Sequence, residues 1–368
     1  MNVLLINDTR IEKNPGCHAT VSALIDFIKE NIEDVDVDTL MLGQEYNVFN
    51  NGNLHKRNFL SKILFKLFKI NIKQFNYNFW EFLALNKLSE KTRNAITGSD
   101  LVVINMEGTI HSNSTAAFTL MAMAFYTNSI GKKVAMLNGS YQSMNRRLSK
   151  EVLNKVDFLA VREPISLKYL ESLNISAFII PDFAFKASIF NKKSENIKID
   201  NKSCLYTSGV LAVYPNQKGG VSIEQIKTHI KKIREIGYKP YFLMIEPKEE
   251  FIAEELKKMN VEIICSYEDG ISFKNIGTII KSFDLLVSGR YHIGIFGIMS
   301  HTKTFFLPSN TKKVQGLLQL IGAKELFIDA DFRNFDRKVK NLDFNKYQNL
   351  DFEYYSSFKR FLKNVKID

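Results

Sequence analysis

Cysteine is scarce in this chain: Cys17, Cys204 and Cys265 are the only three in 368 residues, odd in number and far apart. That excludes a disulfide framework and a CxxC metal site, and reads as reduced cytosolic thiols. The six histidines are scattered, with no pair in HxxxH spacing, so zinc is set aside as well. No run of about 18 uninterrupted apolar residues occurs, which excludes a spanning helix. The apolar start Val3-Leu4-Leu5-Ile6 meets Asp8 too soon for a secretory signal. The full GxGxxG of a dinucleotide site is missing. No zinc-finger, RNP-like or helix-turn-helix pattern accompanies the positive charge, so nucleic acid is not expected as a partner.

What is present is an ordinary globular composition, 45% apolar and 24% charged, over a length that exceeds one typical domain. The net charge of +11 has a local source: Lys56, Arg57, Lys62, Lys66, Lys69 and Lys73 fall in a stretch without an acid. Such a balance favours a polyanion, an acidic small substrate or an anionic membrane face. In the same stretch Leu60, Ile63, Leu64, Leu67 and Phe68 oppose Lys62, Lys66, Lys69 and Lys73 at helical spacing. A helix of that kind either lies on anionic lipid or packs its apolar stripe on the first domain.

Strand-like and helix-like segments alternate, which argues for parallel sheets covered by helices. Residues 1–190 read as a first Rossmann-like domain, with strands at 3–6, 35–42, 101–104, 133–137, 158–161 and 177–180, a helix at 19–30 and a largely helical stretch from 60 to 91. The polar run 191–202 is the linker. Alternation restarts over 203–340 as a second Rossmann-like domain, and 341–368 ends in a helical segment able to pack back on the first. The fold class expected is α/β, two doubly wound domains facing a cleft.

The most informative stretch is Ser288-Gly289-Arg290-Tyr291-His292, where an apolar strand stops at a Ser-Gly turn and a helix follows. Ligands of open α/β sheets sit outside the carboxyl ends of strands. Arginine offers a planar fork for carboxylate or phosphate, and histidine exchanges a proton near neutral pH. The next strand ends in Pro308-Ser309-Asn310-Thr311-Lys312, a hydroxyl-rich helix start suited to an anion. Ser309 or Asn310 can equally be a plain N-cap. Arg162 after a buried strand is an anion ligand or a salt-bridge partner, and Asp182 at a strand end is a base or a turn cap. Glu107 and His111 follow another strand, where a carboxylate and an imidazole can handle an acceptor hydroxyl, or where Glu107 only bonds backbone amides and His111 only packs. At Asn14-Pro15-Gly16 the glycine allows a tight turn before a helix whose amides can hold an anion or a sugar hydroxyl.

Taken in order, these segments resemble the polysaccharide pyruvyl transferase family over roughly residues 1–320: Asn14 to Thr20, Glu107-Gly108-Thr109-Ile110-His111, Val161 to Ser166, Pro181 to Phe185, Ser288 to His292 and Phe306 to Lys312. Many members have a Gly-rich turn where this chain has Asn105-Met106-Glu107-Gly108. The resemblance implies a GT-B fold and transfer of a pyruvyl group from phosphoenolpyruvate to a sugar hydroxyl pair, forming a cyclic ketal on a capsule, lipopolysaccharide or other surface saccharide, or on its lipid-linked precursor. In that chemistry Arg290 and the amides after Pro308 hold the donor, His292 is the acid, and Glu107, His111 or Asp182 is the base. No metal or organic cofactor is required. A GT-B glycosyltransferase using a nucleotide-linked sugar is the alternative, and a non-catalytic sugar-binding subunit the third. The expected location is cytoplasmic, peripheral at the inner membrane face.

Overall fold

Short runs of Val, Ile and Leu, bounded by turns and alternating with amphipathic helices, build two all-parallel sheets in the computed structural model. Near-continuous apolar strands are what a sheet buried on both faces demands. The structure describes residues 1–12, 14–42, 72–190, 199, 202–209, 221–347 and 353–365, with side chains from 77 within the segment beginning at 72. The amphipathic stretch carrying Lys62, Lys66 and Lys69, the side chain of Lys73 and most of the polar run 191–202 lie outside the described residues. The chain divides into two compact units. One comprises Met1–Thr9, Ile25–Asp182 and Glu353–Asp368, the other Arg10–Leu24 and Phe183–Phe352. No helix among the described residues is long and apolar enough to cross a membrane.

In the first unit the strands are β1 (Asn2–Ile6), β2 (Asp36–Leu40), β3 (Leu101–Asn105), β4 (Lys133–Gly139), β5 (Phe158–Val161) and β6 (Phe178–Ile179), ordered β2-β1-β3-β4-β5-β6. Reversal of direction at β1 and β3 makes their carboxyl ends the switch point of the sheet. Helices α2 (Ile72–Lys87), α3 (Glu90–Thr97), α4 (Thr115–Ser129), α5 (Arg146–Leu153) and α6 (Pro164–Glu171) follow in chain order, whereas α1 (Pro15–Asn31) is divided, its residues 15–24 belonging to the second unit and 25–31 to the first. The core gathers Ile6, Val102, Ile104 and Met136 with Leu120, Phe125 and Trp80. Trp80 is fully buried, and its indole N–H donates to the Leu148 carbonyl at 2.9 Å, meeting the need of a polar atom taken out of water.

Three boundaries differ from the sequence reading. Helix α1 starts at Pro15, four residues early, because proline suits the first helical position and Asn14 Oδ1 accepts the Gly16 N–H at 2.9 Å. The supposed turn is a helix start. The long helical stretch ending at 91 breaks at Ser89, whose side chain accepts the Thr92 N–H and starts α3. Helix α5 begins at Arg146 because Asn145 caps the Arg147 and Leu148 N–H groups.

The second unit holds β7 (Ser203–Thr207), β8 (Lys239–Met244), β9 (Glu262–Cys265), β10 (Leu285–Ser288) and β11 (Lys303–Phe306), ordered β11-β10-β7-β8-β9. Its helices are α7 (Ile223–Glu235), α8 (Glu250–Lys257), α9 (Ile276–Lys281), α10 (Tyr291–Met299), α11 (Lys313–Leu320) and α12 (Phe335–Asn341). A Ser222–Gln225 capping box starts α7, each side chain accepting the other's backbone N–H. The last helix, α13 (Ser356–Asn364), belongs to the first unit. Its Phe358 stacks on Phe27 and meets Phe158 of β5, and Tyr355 donates to the Asp182 carbonyl at 3.0 Å.

Candidate functional site

Strands β7 and β10 are neighbours at the point where the second sheet changes direction, so their carboxyl ends form its switch point. Their turns approach closely. Gly289 N–H donates to the Thr207 carbonyl at 2.9 Å, and a Cβ on Gly289 would collide with the backbone of Gly209. Any residue but glycine at 289 would push the turns apart. The turn after β11 joins them, with the Pro308 carbonyl 3.7 Å from where a Gly209 Cβ would stand.

Arg290 emerges from this junction as the residue preceding α10. Ser288 Oγ fixes its backbone, accepting the Arg290 N–H at 3.2 Å and donating to the Arg290 carbonyl at 2.7 Å. The guanidinium is 4% exposed and faces two carboxylates that the sequence did not single out. Its Nη1 donates to Glu246 Oε1 at 2.8 Å, and its Nη2 lies 2.9 Å from Glu249 Oε1. Burial disfavours the charged guanidinium, yet Glu249 and Glu246 outweigh it and hold the pKa above the ordinary arginine value. Glu249 is fully buried and fixed in place. It accepts the Ile245 and Glu246 N–H groups at 2.7 and 3.0 Å, together with the Ser208 hydroxyl. Arg290 Nε is buried and has no hydrogen-bond partner among the described residues. The arginine read from sequence as an open anion fork therefore stands in an internal ion cluster, where Nε has no partner and Nη2 makes the ion contact with Glu249 without a hydrogen bond.

His292, in the first turn of α10, is half-buried. The first two turns of α1 lie against it: Thr20 Oγ1 is 3.4 Å from His292 Nε2, and a Cβ on Gly16 would overlap the imidazole. Two segments some 270 residues apart thus meet at one ring, and Gly16 is required by this close approach. Asn14 serves here as the α1 capping group. Beyond β11, Ser309 Oγ contacts Asn310 Oδ1 at 3.2 Å, and Lys312 precedes α11 without a side-chain cap. Thr311 Oγ1 is buried and finds no partner among the described residues.

In the first unit, Glu107 follows β3 at the other switch point. It is 7% exposed, adopts a left-handed backbone (φ +37°), and accepts the Thr9 hydroxyl at 2.9 Å on Oε2. Beneath it runs a buried amide ladder: Asn7 Nδ2 donates to the Asn105 carbonyl at 2.7 Å, and Asn138 Nδ2 to Asn105 Oδ1 at 2.9 Å. Such a backbone persists where the surroundings over-determine it. His111 is half-exposed, with Nδ1 3.2 Å from Ser112 Oγ, and its strand-like backbone pairs with Gln142.

Of the two readings open for Arg162, anion ligand or salt-bridge partner, the structure shows the salt bridge: Arg162 and Asp182 neutralise each other in the interior at 2.7 Å, with side chains 1% and 0% exposed. Arg162 Nε also donates to Ser140 Oγ at 3.0 Å. The parallel pairing of β5 and β6, Val161 beside Ile179, brings the two side chains together. The neighbouring Glu163 caps α6 by accepting the Ser166 N–H at 3.0 Å. Sequence reading missed Glu246, Glu249, Ser208 and Thr20. The one local signal was Glu246-Pro-Lys-Glu249, an acid pair three apart just after a strand. Among the described residues no group of three or more His, Cys, Asp or Glu side chains is placed to share a metal ion.

Comparison with solved structures gives the fold. UDP-GlcNAc 2-epimerase from Methanocaldococcus jannaschii superposes with a TM-score of 0.56 at 16% identity over 99% of each chain. The Neisseria meningitidis UDP-GlcNAc 2-epimerase bound to UDP-GlcNAc gives 0.57 at 13% over 99% of this chain and 100% of that one. A spinosyn rhamnosyltransferase complexed with thymidine diphosphate gives 0.50 at 9% over 99% and 96%. At such identities the likeness is one of architecture, two Rossmann-like parallel sheets with flanking helices, as in GT-B proteins. No curated protein matches the sequence. The family model for polysaccharide pyruvyl transferase matches residues 14–311, a span running from Asn14 through His292 to Thr311. The chain belongs to the polysaccharide pyruvyl transferase family, a family of enzymes.

Proposed function

We propose that the protein transfers a pyruvyl group from phosphoenolpyruvate to a pair of sugar hydroxyls, closing a cyclic ketal on a surface polysaccharide or its lipid-linked precursor. The carrying observation is the seating of Gly16 and Thr20 on His292, two residues after Arg290. Phosphoenolpyruvate is small and multiply charged. Arg290, with its unpaired Nε, and the backbone around Ser309, Asn310, Thr311 and Lys312 supply charge-assisted donors for such an anion. His292 is the acid that delivers a proton to the methylene carbon, and Thr20 orients its ring through Nε2. Protonation leaves an oxocarbenium-like carbon; one sugar hydroxyl attacks it, phosphate departs, and the second hydroxyl closes the ring. Glu107, with His111 as the second candidate, takes the proton of the attacking hydroxyl, and the proton of the second hydroxyl leaves with the phosphate. Asp182 is dropped from that role because Arg162 occupies it. This chemistry asks for no metal or organic cofactor.

The test is acceptor-dependent phosphate release from phosphoenolpyruvate, with a ketal found in the saccharide product by NMR. Release that is absent with every saccharide tried, alongside sugar transfer from a nucleotide donor, would replace this reading. The replacement is a glycosyltransferase acting on a nucleotide-activated sugar in capsule or lipopolysaccharide synthesis. What favours it is the architectural likeness to an epimerase bound to UDP-GlcNAc and a rhamnosyltransferase complexed with thymidine diphosphate. We further propose peripheral contact with anionic membrane through Lys62, Lys66, Lys69 and Lys73, at the cytoplasmic face where activated donors are made.

A further inference from the structure

The charges around Arg290 do not suit an anion as they stand. One guanidinium and two carboxylates, each carboxylate within 2.9 Å of a guanidinium nitrogen, sum to a single negative charge. An incoming carboxylate or phosphate would meet repulsion at short range, where two like charges interact strongly in a poorly solvated site. Something must give way. Glu249 is not free to move: it is fully buried and accepts two backbone N–H groups and the Ser208 hydroxyl. Glu246 differs. Its side chain is 28% exposed, on the solvent side of the pair, and it holds Nη1 by one oxygen at 2.8 Å.

We infer that Glu246 is an internal stand-in for the anionic donor: its carboxylate occupies Arg290 until the donor's own carboxylate or phosphate displaces it, so Glu246 sets donor affinity. The inference rests on the donor reading of Arg290 given above. Displacement frees Nη1 to donate to the incoming anion, a charge-assisted bond that replaces the one Glu246 gives up. Glu249 stays behind as the positioning residue, keeping the arginine charged and aimed when Glu246 leaves.

The experiment measures equilibrium binding of phosphoenolpyruvate, inorganic phosphate and UDP to the full chain and to its Glu246→Gln and Glu246→Ala forms. Glutamine keeps an oxygen that can accept from Nη1 but removes the charge, and alanine removes both. Both variants should keep the wild-type circular dichroism and bind phosphoenolpyruvate and phosphate about tenfold or more tightly, the change expected from removing one like charge at contact distance. Unchanged or weakened binding in both would overturn the inference, and would make Glu246 a group that merely aligns the arginine. Tightening of UDP alone would leave the stand-in role intact and remove the phosphoenolpyruvate reading. Phosphoenolpyruvate bound equally by all three proteins would do the reverse. No binding of any anion by any form would end both.

Discussion

His229 offers a quantitative check on the second unit. It is fully buried on α7, stacked on Phe332 at 3.9 Å between centroids, and both ring nitrogens are engaged. Nε2 donates to the Ala330 carbonyl at 2.7 Å, so Nδ1 is the acceptor of the Tyr206 hydroxyl at 2.9 Å. Burial, only partly offset by the Ala330 carbonyl, lowers the pKa to about 4 from an ordinary 6.5. The neutral ring therefore contributes stability that is present above about pH 6.5 and lost as pH falls through about 4. Between those values the unfolded chain binds a proton that the folded chain refuses. At about 1.4 kcal/mol per unit the loss reaches roughly 3 kcal/mol, or about 6–12 °C in the melting temperature of a unit of this size. Urea melts at pH 7.5, 6, 5 and 4, run on wild type and His229→Phe, isolate this residue from the other groups that titrate. Wild type should lose about 3 kcal/mol more than the variant across the series. Parallel profiles would refute the buried neutral imidazole.

Other outcomes follow from single contacts. Gly16→Ala should destabilise by about 1–3 kcal/mol through overpacking on His292 and lower turnover, whereas an open site would show only the small helix gain of alanine; melting and kinetics decide. Arg162→Met should cost about 3–5 kcal/mol by leaving Asp182 buried and uncompensated, and pairing it with Asp182→Asn should recover a measurable part; additive losses in denaturant melts would deny the pair. Flotation with anionic liposomes at low salt should carry the protein up, since each lysine near such a surface contributes about 1 kcal/mol, and replacing Lys62, Lys66, Lys69 and Lys73 by glutamine should leave it at the bottom. Wild type that stays at the bottom would make the stretch a surface element only.

Much of this was legible locally. Val3-Leu4-Leu5-Ile6 and Leu101-Val102-Val103-Ile104 announce buried parallel strands because both faces of such strands exclude water. Ser288 to His292 could be placed at the carboxyl end of a strand because its strand, turn and helix are contiguous in sequence. What depends on strand order was not legible. Glu246 and Glu249 follow β8, which is separated from β10 by β7, so nothing within forty residues of Arg290 on the chain reveals them. The Arg162–Asp182 pair likewise needs the β5–β6 register before it can be seen. The start of α1 was misread for a different reason. Proline and glycine together suggest a turn, but proline fits the first turn of a helix, where its missing N–H would have had no partner.

The donor is the central claim, and it is tested most directly by thermal shift with phosphoenolpyruvate beside CMP, UDP and GDP, on wild type and on Arg290→Lys and His292→Gln. Phosphoenolpyruvate at one hundred times its dissociation constant should stabilise wild type by about 2.7 kcal/mol. Arg290→Lys, which keeps the charge but loses the fork, should lose most of that shift. His292→Gln should keep the shift while turnover falls by roughly 10²–10⁴. Stabilisation by a nucleotide, with none by phosphoenolpyruvate, would contradict the account.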